Sequence, residues 1–170
     1  IDTSGSMEPK WDAVCYELKK ALEDCGPSTR FQVLFFSDAP RALWPNKRLA
    51  PATPEAKALA LKAAKTQSVI SSGKTAIGLA LSQALDHTQA ETIYLISDGL
   101  ESRVTFSGLQ RAVRRQNVKR ARPAKIHTVH VRFGGRPLEL RPFDPQPNEP
   151  DDVSFMRKLA WENGGVYAHN

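Results

Sequence analysis

Apolar residues recur every three or four positions from Met7 to Cys25, with Trp11, Val14, Cys15, Leu18, Leu22 and Cys25 on one stripe. That spacing predicts an amphipathic helix, with Pro9 in its first turn and Gly26-Pro27 as its stop. Phe31–Phe36 is a nearly unbroken apolar run, as expected of a strand covered on both faces. Ala42-Leu43-Trp44 reads as a short strand, antiparallel at an edge, ahead of Pro45-Asn46. Thr53-Pro54-Glu55 puts a capping hydroxyl and a first-turn proline before an alanine- and leucine-rich helix that reaches about Lys65.

The same reading continues with a third helix over Thr75–His87, burying Ile77, Leu81, Ala84 and Leu85, and a buried strand over Thr92–Ser97. Phe106–Arg120 predicts a fourth helix that buries Phe106, Leu109 and Val113, and Ile126–Phe133 a strand. Gly134–Pro150 is rich in proline and glycine and reads as an exposed excursion. Asp151–Glu162 is a final helix and Val166–His169 a final strand. Strands alternating with helices predict an α/β fold, a doubly wound and mainly parallel central sheet flanked by helices on both faces. No internal repeat or low-complexity tract interrupts the pattern.

Chemistry concentrates at the start of the chain, in Asp2-Thr3-Ser4-Gly5-Ser6-Met7. One carboxylate and two hydroxyls stand at i, i+2 and i+4, directly after an apparent strand end at Ile1. Gly5 gives the loop the backbone freedom to converge them on one point. Short, hard oxygen ligands suit Mg²⁺, which takes near-octahedral geometry at about 2.0–2.1 Å and retains waters.

The Asp-x-Ser-x-Ser string resembles the opening of the metal-ion-dependent adhesion site of von Willebrand factor type A domains, the integrin I-like family, in its bacterial type. Two more pieces of that family's pattern follow in order. Ser72-Gly73-Lys74-Thr75 opens a predicted helix, and Ile93–Ser97 is an apolar run ending in Asp98-Gly99. Phe155–Ala160 followed by Asn163-Gly164-Gly165-Val166-Tyr167 is similar to the family's last helix-to-strand passage. The resemblance spans nearly all of the chain and implies one Rossmann-like domain over residues 1–170. In such sheets ligands bind beyond the carboxyl ends of strands, so Asp2, Ser4, Ser6, Thr75 and Asp98 are expected on one rim.

The resemblance implies a division of roles. Ser4, Ser6 and Thr75 contact the cation, whereas Asp2 and Asp98 act mainly through bound waters. The implied cofactor is Mg²⁺, with Mn²⁺ or Ca²⁺ as alternatives. With no carboxylate directly on it, the cation keeps an exchangeable position for an Asp or Glu of a protein partner. Two departures stand out. Lys74 occupies a place where the family often has glycine, so a Thr75 ligand requires Lys74 to point away. Only Ile1 represents the family's central first strand, which suggests an excerpt of a longer chain with a gap in its core.

Net charge is +6, and it is localised: Arg111, Arg114, Arg115, Lys119, Arg120 and Arg122 lie in one acid-free stretch. Without those six, the 24 basic residues no longer outnumber the 18 acids. The plain reading is a solvated helix face. The sharper one is a docking stripe for an acidic partner, nucleic acid or anionic headgroups, with the nucleic-acid version weakened by the lack of interleaved aromatics. Cys15 and Cys25 are ten residues apart on the first predicted helix, about 15 Å by helical rise, too far to pair. Both are expected to be buried free thiols, which leans towards a reducing compartment. No run approaches the roughly 18 apolar residues of a membrane span, so membrane association is expected only through flanking segments.

Competing motifs fare poorly. Ser68–Thr75 nearly matches a phosphate-binding loop but has Ser68 where glycine is needed. Asp2-Thr3-Ser4 departs from the Asp-Thr-Gly of aspartic proteases, and no second copy supplies a partner carboxylate. His127 and His130 are three apart on one strand and face opposite sides. No Ser-His-Asp or Cys-His arrangement is visible around His87 or His169, so a binding module is expected rather than an enzyme. A degenerate domain with no metal remains the purely structural alternative.

Overall fold

The structure, a computed structural model, describes residues 1–67, 75–99, 106–131, 139–141 and 150–169, with 139–141 as backbone. A 3₁₀ turn, Gly5–Lys10, leads into α1 (Trp11–Glu23), β1 (Arg30–Phe31), β2 (Leu34–Phe36), β3 (Pro40–Ala42) and β4 (Ala50–Pro51). There follow α2 (Pro54–Thr66), α3 (Ile77–Leu85), β5 (Thr92–Ser97), α4 (Phe106–Val118), β6 (Lys125–His130), β7 (Glu139–Arg141), α5 (Asp151–Glu162) and β8 (Tyr167–His169).

β5 pairs parallel with β6 along its whole length, from Thr92 opposite Lys125 to Ser97 opposite His130. β8 adds parallel to β6, and β7 closes that edge antiparallel to β8. Two antiparallel pairs, β2–β3 and β1–β4, complete the strands. The doubly wound sheet is therefore seen in part, as a parallel core with shorter antiparallel pieces. Towards the carboxyl end of β5 both faces are covered, whereas Thr92 and Tyr94 on one face near its start are exposed. Ile93 and Leu95 pack with α3, α4 and α5 residues, among them Leu81, Leu109 and Met156. Ile96 points the other way, into a cluster with Met7 and Val14. Phe35 and Val33 meet Leu18 and Leu22 of α1 and Ala60 and Ala64 of α2.

Several boundaries differ from the pattern reading, each with a local cause. The first helix divides into the 3₁₀ turn around Pro9 and α1. α1 ends at Glu23, so Cys25 lies beyond it, and both cysteines are free and only partly buried. The Phe31–Phe36 run splits in two because the Gln32 side chain takes over part of the pairing. Its amide oxygen accepts from the N–H groups of Val33 and Trp44 at 3.0 and 3.1 Å, and its amide nitrogen donates to the Trp44 carbonyl at 2.7 Å. The antiparallel partner strand is Pro40–Ala42 rather than Ala42–Trp44. α2 begins as expected, with Thr53 Oγ1 accepting from Ala56 N–H at 3.2 Å. α3 starts at Ile77, so Thr75 precedes the helix instead of opening it. Most of the Gly134–Pro150 excursion lies outside the described residues, as does Ser68–Lys74, but the excursion contains β7.

A cavity of about 610 Å³ separates β2 from β5, lined by Leu34, Phe36, Ile93 and Leu95 with Ile1 above.

Candidate metal site

Ile1–Thr3 bridges the two halves of the sheet. Thr3 N–H donates to the Phe36 carbonyl at 2.7 Å, Phe36 N–H to the Ile1 carbonyl at 2.9 Å, and Asp2 N–H to the Ile96 carbonyl at 2.9 Å. Asp2 is thus held at the carboxyl ends of both β2 and β5. Ser4 is extended and enters the 3₁₀ turn, where Met7 N–H donates back to the Ser4 carbonyl at 3.0 Å. Met7 is fully buried and anchors the turn.

The Asp2 side chain has no exposed surface. One carboxylate oxygen accepts from Ser4 N–H at 2.9 Å and the other from the Ser97 hydroxyl at 2.6 Å. Burial pushes the Asp2 carboxyl above the usual carboxylate range, and the Asp98 charge adds to that, while hydrogen bonds from Ser97 and Ser4 act the other way. Ser97 Oγ also accepts from Gly99 N–H at 3.0 Å. Gly99 has φ of +79°, which turns the chain immediately after Asp98. Asp98 is buried, with Lys10 Nζ at 2.9 Å from its Oδ2.

Ser4 Oγ and Ser6 Oγ are 3.3 Å apart, Ser4 buried and Ser6 exposed. Thr75 is buried, and its neighbour Ala76 donates N–H to the Ser37 carbonyl at 2.8 Å. Ser37 directly follows β2, so this bond sets Thr75 at the edge where Thr3 meets Phe36. Asp2, Ser4 and Ser6 are linked in one loop, Asp98 lies near enough to act on the Asp2 charge, and Thr75 reaches this edge of the sheet through the backbone.

Pattern reading missed three members of this cluster. Ser97 stands beside Asp98 in sequence, yet only the β5 register turns its hydroxyl onto Asp2. Lys10 reaches Asp98 across 88 positions. His130 Nε2 lies 3.0 Å from the Asp98 carbonyl and 3.3 Å from Asp152 Oδ2, and its Nδ1 is 3.1 Å from the Tyr167 hydroxyl. A carbonyl can only accept, so Nε2 carries a proton. His127 faces the opposite side and stacks on Tyr94, as its spacing predicts.

The donors are all oxygen, with two carboxylates and short hydroxyls, the set that hard divalent cations take. Among the described residues no group of three or more His, Cys, Asp and Glu side chains gathers as a metal cluster. Lys10 offsets the charge of Asp98, whereas Asp2 is met by the neutral Ser97 hydroxyl and Ser4 N–H, so the oxygen donors beside Asp2 fit a cation.

A family model for the von Willebrand factor type A domain matches residues 1–101. The chain belongs to that family. Von Willebrand factor A domains are protein-interaction modules. No curated protein matches the chain. Among solved structures, it is similar to a von Willebrand factor type A protein from Catenulispora acidiphila, at TM-score 0.73 and 21% identity. That match covers 99% of this chain and 37% of the other, so the chain spans little more than a third of that protein. An aerotolerance-related membrane protein from Bacteroides fragilis NCTC 9343 matches at TM-score 0.67 and 15% identity, covering 98% and 86% of the two chains. The conserved hypothetical protein BatB from Bacteroides thetaiotaomicron matches at 0.67 and 15%, covering 99% and 86%. At these identities the likeness shows the fold.

The basic stripe of this von Willebrand factor A domain is less uniform than its spacing predicts. α4 stops at Val118, so Lys119, Arg120 and Arg122 lie beyond it. Arg120 is half-buried and donates to the carbonyls of His87, Thr88 and Ala90. Arg122 pairs with Glu91 at 3.5 Å. Arg111, Arg114, Arg115 and Lys119 are exposed.

Proposed function

We propose that this domain is a metal-dependent protein-interaction module in which Ser4, Ser6 and Thr75, with Asp2 and Asp98 through waters, hold Mg²⁺ or Mn²⁺. The cation leaves one position open for an Asp or Glu of a partner. The role proposed is binding rather than catalysis, in a doubly wound domain of the bacterial type. The observation that carries the reading is buried Asp2, held by the Ser97 hydroxyl and the Ser4 N–H, beside the Ser4–Ser6 hydroxyl pair and close enough to buried Asp98 for that charge to act on it. A ligand that binds only the folded state raises its melting temperature. Mg²⁺ at millimolar concentration is therefore expected to raise the melting temperature relative to chelator, and Asp2→Ala to remove most of the shift while staying folded. A shift unchanged in Asp2→Ala would place the cation elsewhere.

A second reading rests on exposed Arg111, Arg114, Arg115 and Lys119, which carry no ion pair among the described residues. In it the stripe binds an acidic surface or nucleic acid. The same assay on a captured partner separates the two. Chelation abolishes metal-bridged binding, whereas moderate salt abolishes stripe binding.

A further inference from the structure

We propose that Lys10 is a built-in counter-ion of the site, holding Asp98 when no divalent cation is bound and competing with one for that carboxylate. The inference rests on the reading of Asp98 as part of a cation site. Lys10 Nζ stands 2.9 Å from Asp98 Oδ2, and the two side chains are only 10% and 3% exposed. An ion pair this sheltered from water is screened little by salt. Asp2 is already engaged by the Ser97 hydroxyl and the Ser4 N–H, so the ammonium acts on Asp98.

The geometry also says how the pair opens. Lys10 ends the same 3₁₀ turn that begins at Gly5 between the two hydroxyl donors. Buried Met7 anchors that turn and the ring of exposed Pro9 stiffens it, so the backbone of Lys10 stays put. Its four-carbon stem is the part that can swing, and the ammonium is a compact charge that rehydrates readily. A divalent cation near Asp98 would lie within a few ångströms of Nζ, and the two positive charges repel. Loading the site therefore expels the ammonium towards solvent at the rim. Lys10 would then set a threshold: the unloaded domain is kept stable, and only a cation concentration high enough to displace the lysine switches the partner-binding face on.

Two measurements test this. In calorimetric titration, Lys10→Met is expected to bind Mg²⁺ about tenfold more tightly than the wild type, since it removes a like charge from the site. Its melting temperature in chelator should fall. Equal or weaker Mg²⁺ binding by Lys10→Met overturns the inference while leaving the metal reading in place. Absence of Mg²⁺ binding by both proteins overturns the two together. The second measurement needs no variant. Acetylation of Lys10 in the wild type, followed by peptide mass spectrometry, should speed up several-fold on adding Mg²⁺, with exposed Lys62 as the unchanging reference. A Lys10 rate unaffected by Mg²⁺ also overturns it.

Discussion

His87 shows how one side chain ties stability to pH. It is buried just after α3, with Nδ1 at 3.1 Å from the Lys47 carbonyl and, among the described residues, no hydrogen-bond partner for Nε2. Facing a carbonyl, Nδ1 must donate, so the neutral ring carries its proton there. Burial lowers its pKa from 6.5, and the Lys47 charge lowers it further, against the Lys47 carbonyl and Asp86. The unfolded chain therefore binds a proton near pH 6.5 that the folded chain refuses. Stability from this group is complete above that pH and falls as pH drops towards the lower folded value. Denaturant melts in chelator at pH 7.5 and 5.5 should show a loss on acidification, and His87→Gln should reduce that loss. A remaining slope is expected from His127, whose pKa is also lowered, by burial and by Lys125. An acid loss of the same size in His87→Gln would contradict this account. Sequence marks both histidines, but neither their burial nor the bare Nε2 is visible without the fold.

At the scale of elements, interior patterns read more reliably than ends. Thr92–Ser97 and Asp151–Glu162 were expected with the bounds they have, because apolar spacing and a proline before the helix define them locally. The end of α4 is different. Asn117 lies in its last turn, where its side chain accepts from the Ala124 N–H and donates to the Ala124 carbonyl, both at 2.8 Å, and donates to the Asn163 side chain at 2.9 Å. Arg120 then turns inward, donating to three carbonyls in the loop after α3 at 2.6 to 3.1 Å. A stripe that looks continuous in sequence thus splits into a structural arginine and an exposed face. Charge-assisted hydrogen bonds are worth about 1.5–3 kcal/mol, so Arg120→Ala should destabilise by roughly 2 kcal/mol in urea melts. Arg114→Ala, on the exposed face, should stay within about 0.5 kcal/mol of wild type. Equal effects for the two would refute the division.

Across the whole molecule, stability is unevenly distributed. β5 and β6 are paired over six residues each and buried through their last three, whereas β1 and β4 pair over two residues each near the surface. Native-state hydrogen exchange should therefore be slowest at amides such as Leu95 and Val129, opening only with global unfolding. Phe31 should exchange through local fraying at a much lower free energy. Comparable protection at Phe31 and Leu95 would mean that the β1–β4 pair is part of the cooperative core. Such a profile also bears on the cavity beside β2, since strands facing it have fewer packed neighbours.

What sequence alone determined is what depends on near neighbours: helix and strand periods, the Thr53 cap, the Asp2-Ser4-Ser6 loop and the α/β alternation. These follow from spacing and backbone preference, which act over a few residues. Tertiary structure decided what depends on register between distant segments. The Asp2 N–H bond to the Ile96 carbonyl puts the Ser97 hydroxyl on Asp2, and the packing of the 3₁₀ turn puts Lys10 on Asp98. His130 reaches the Asp98 carbonyl only because β6 lies beside β5. Those contacts link residues 32 to 95 positions apart, and no local pattern encodes which of many polar side chains the folded sheet will bring within 3 Å of one another.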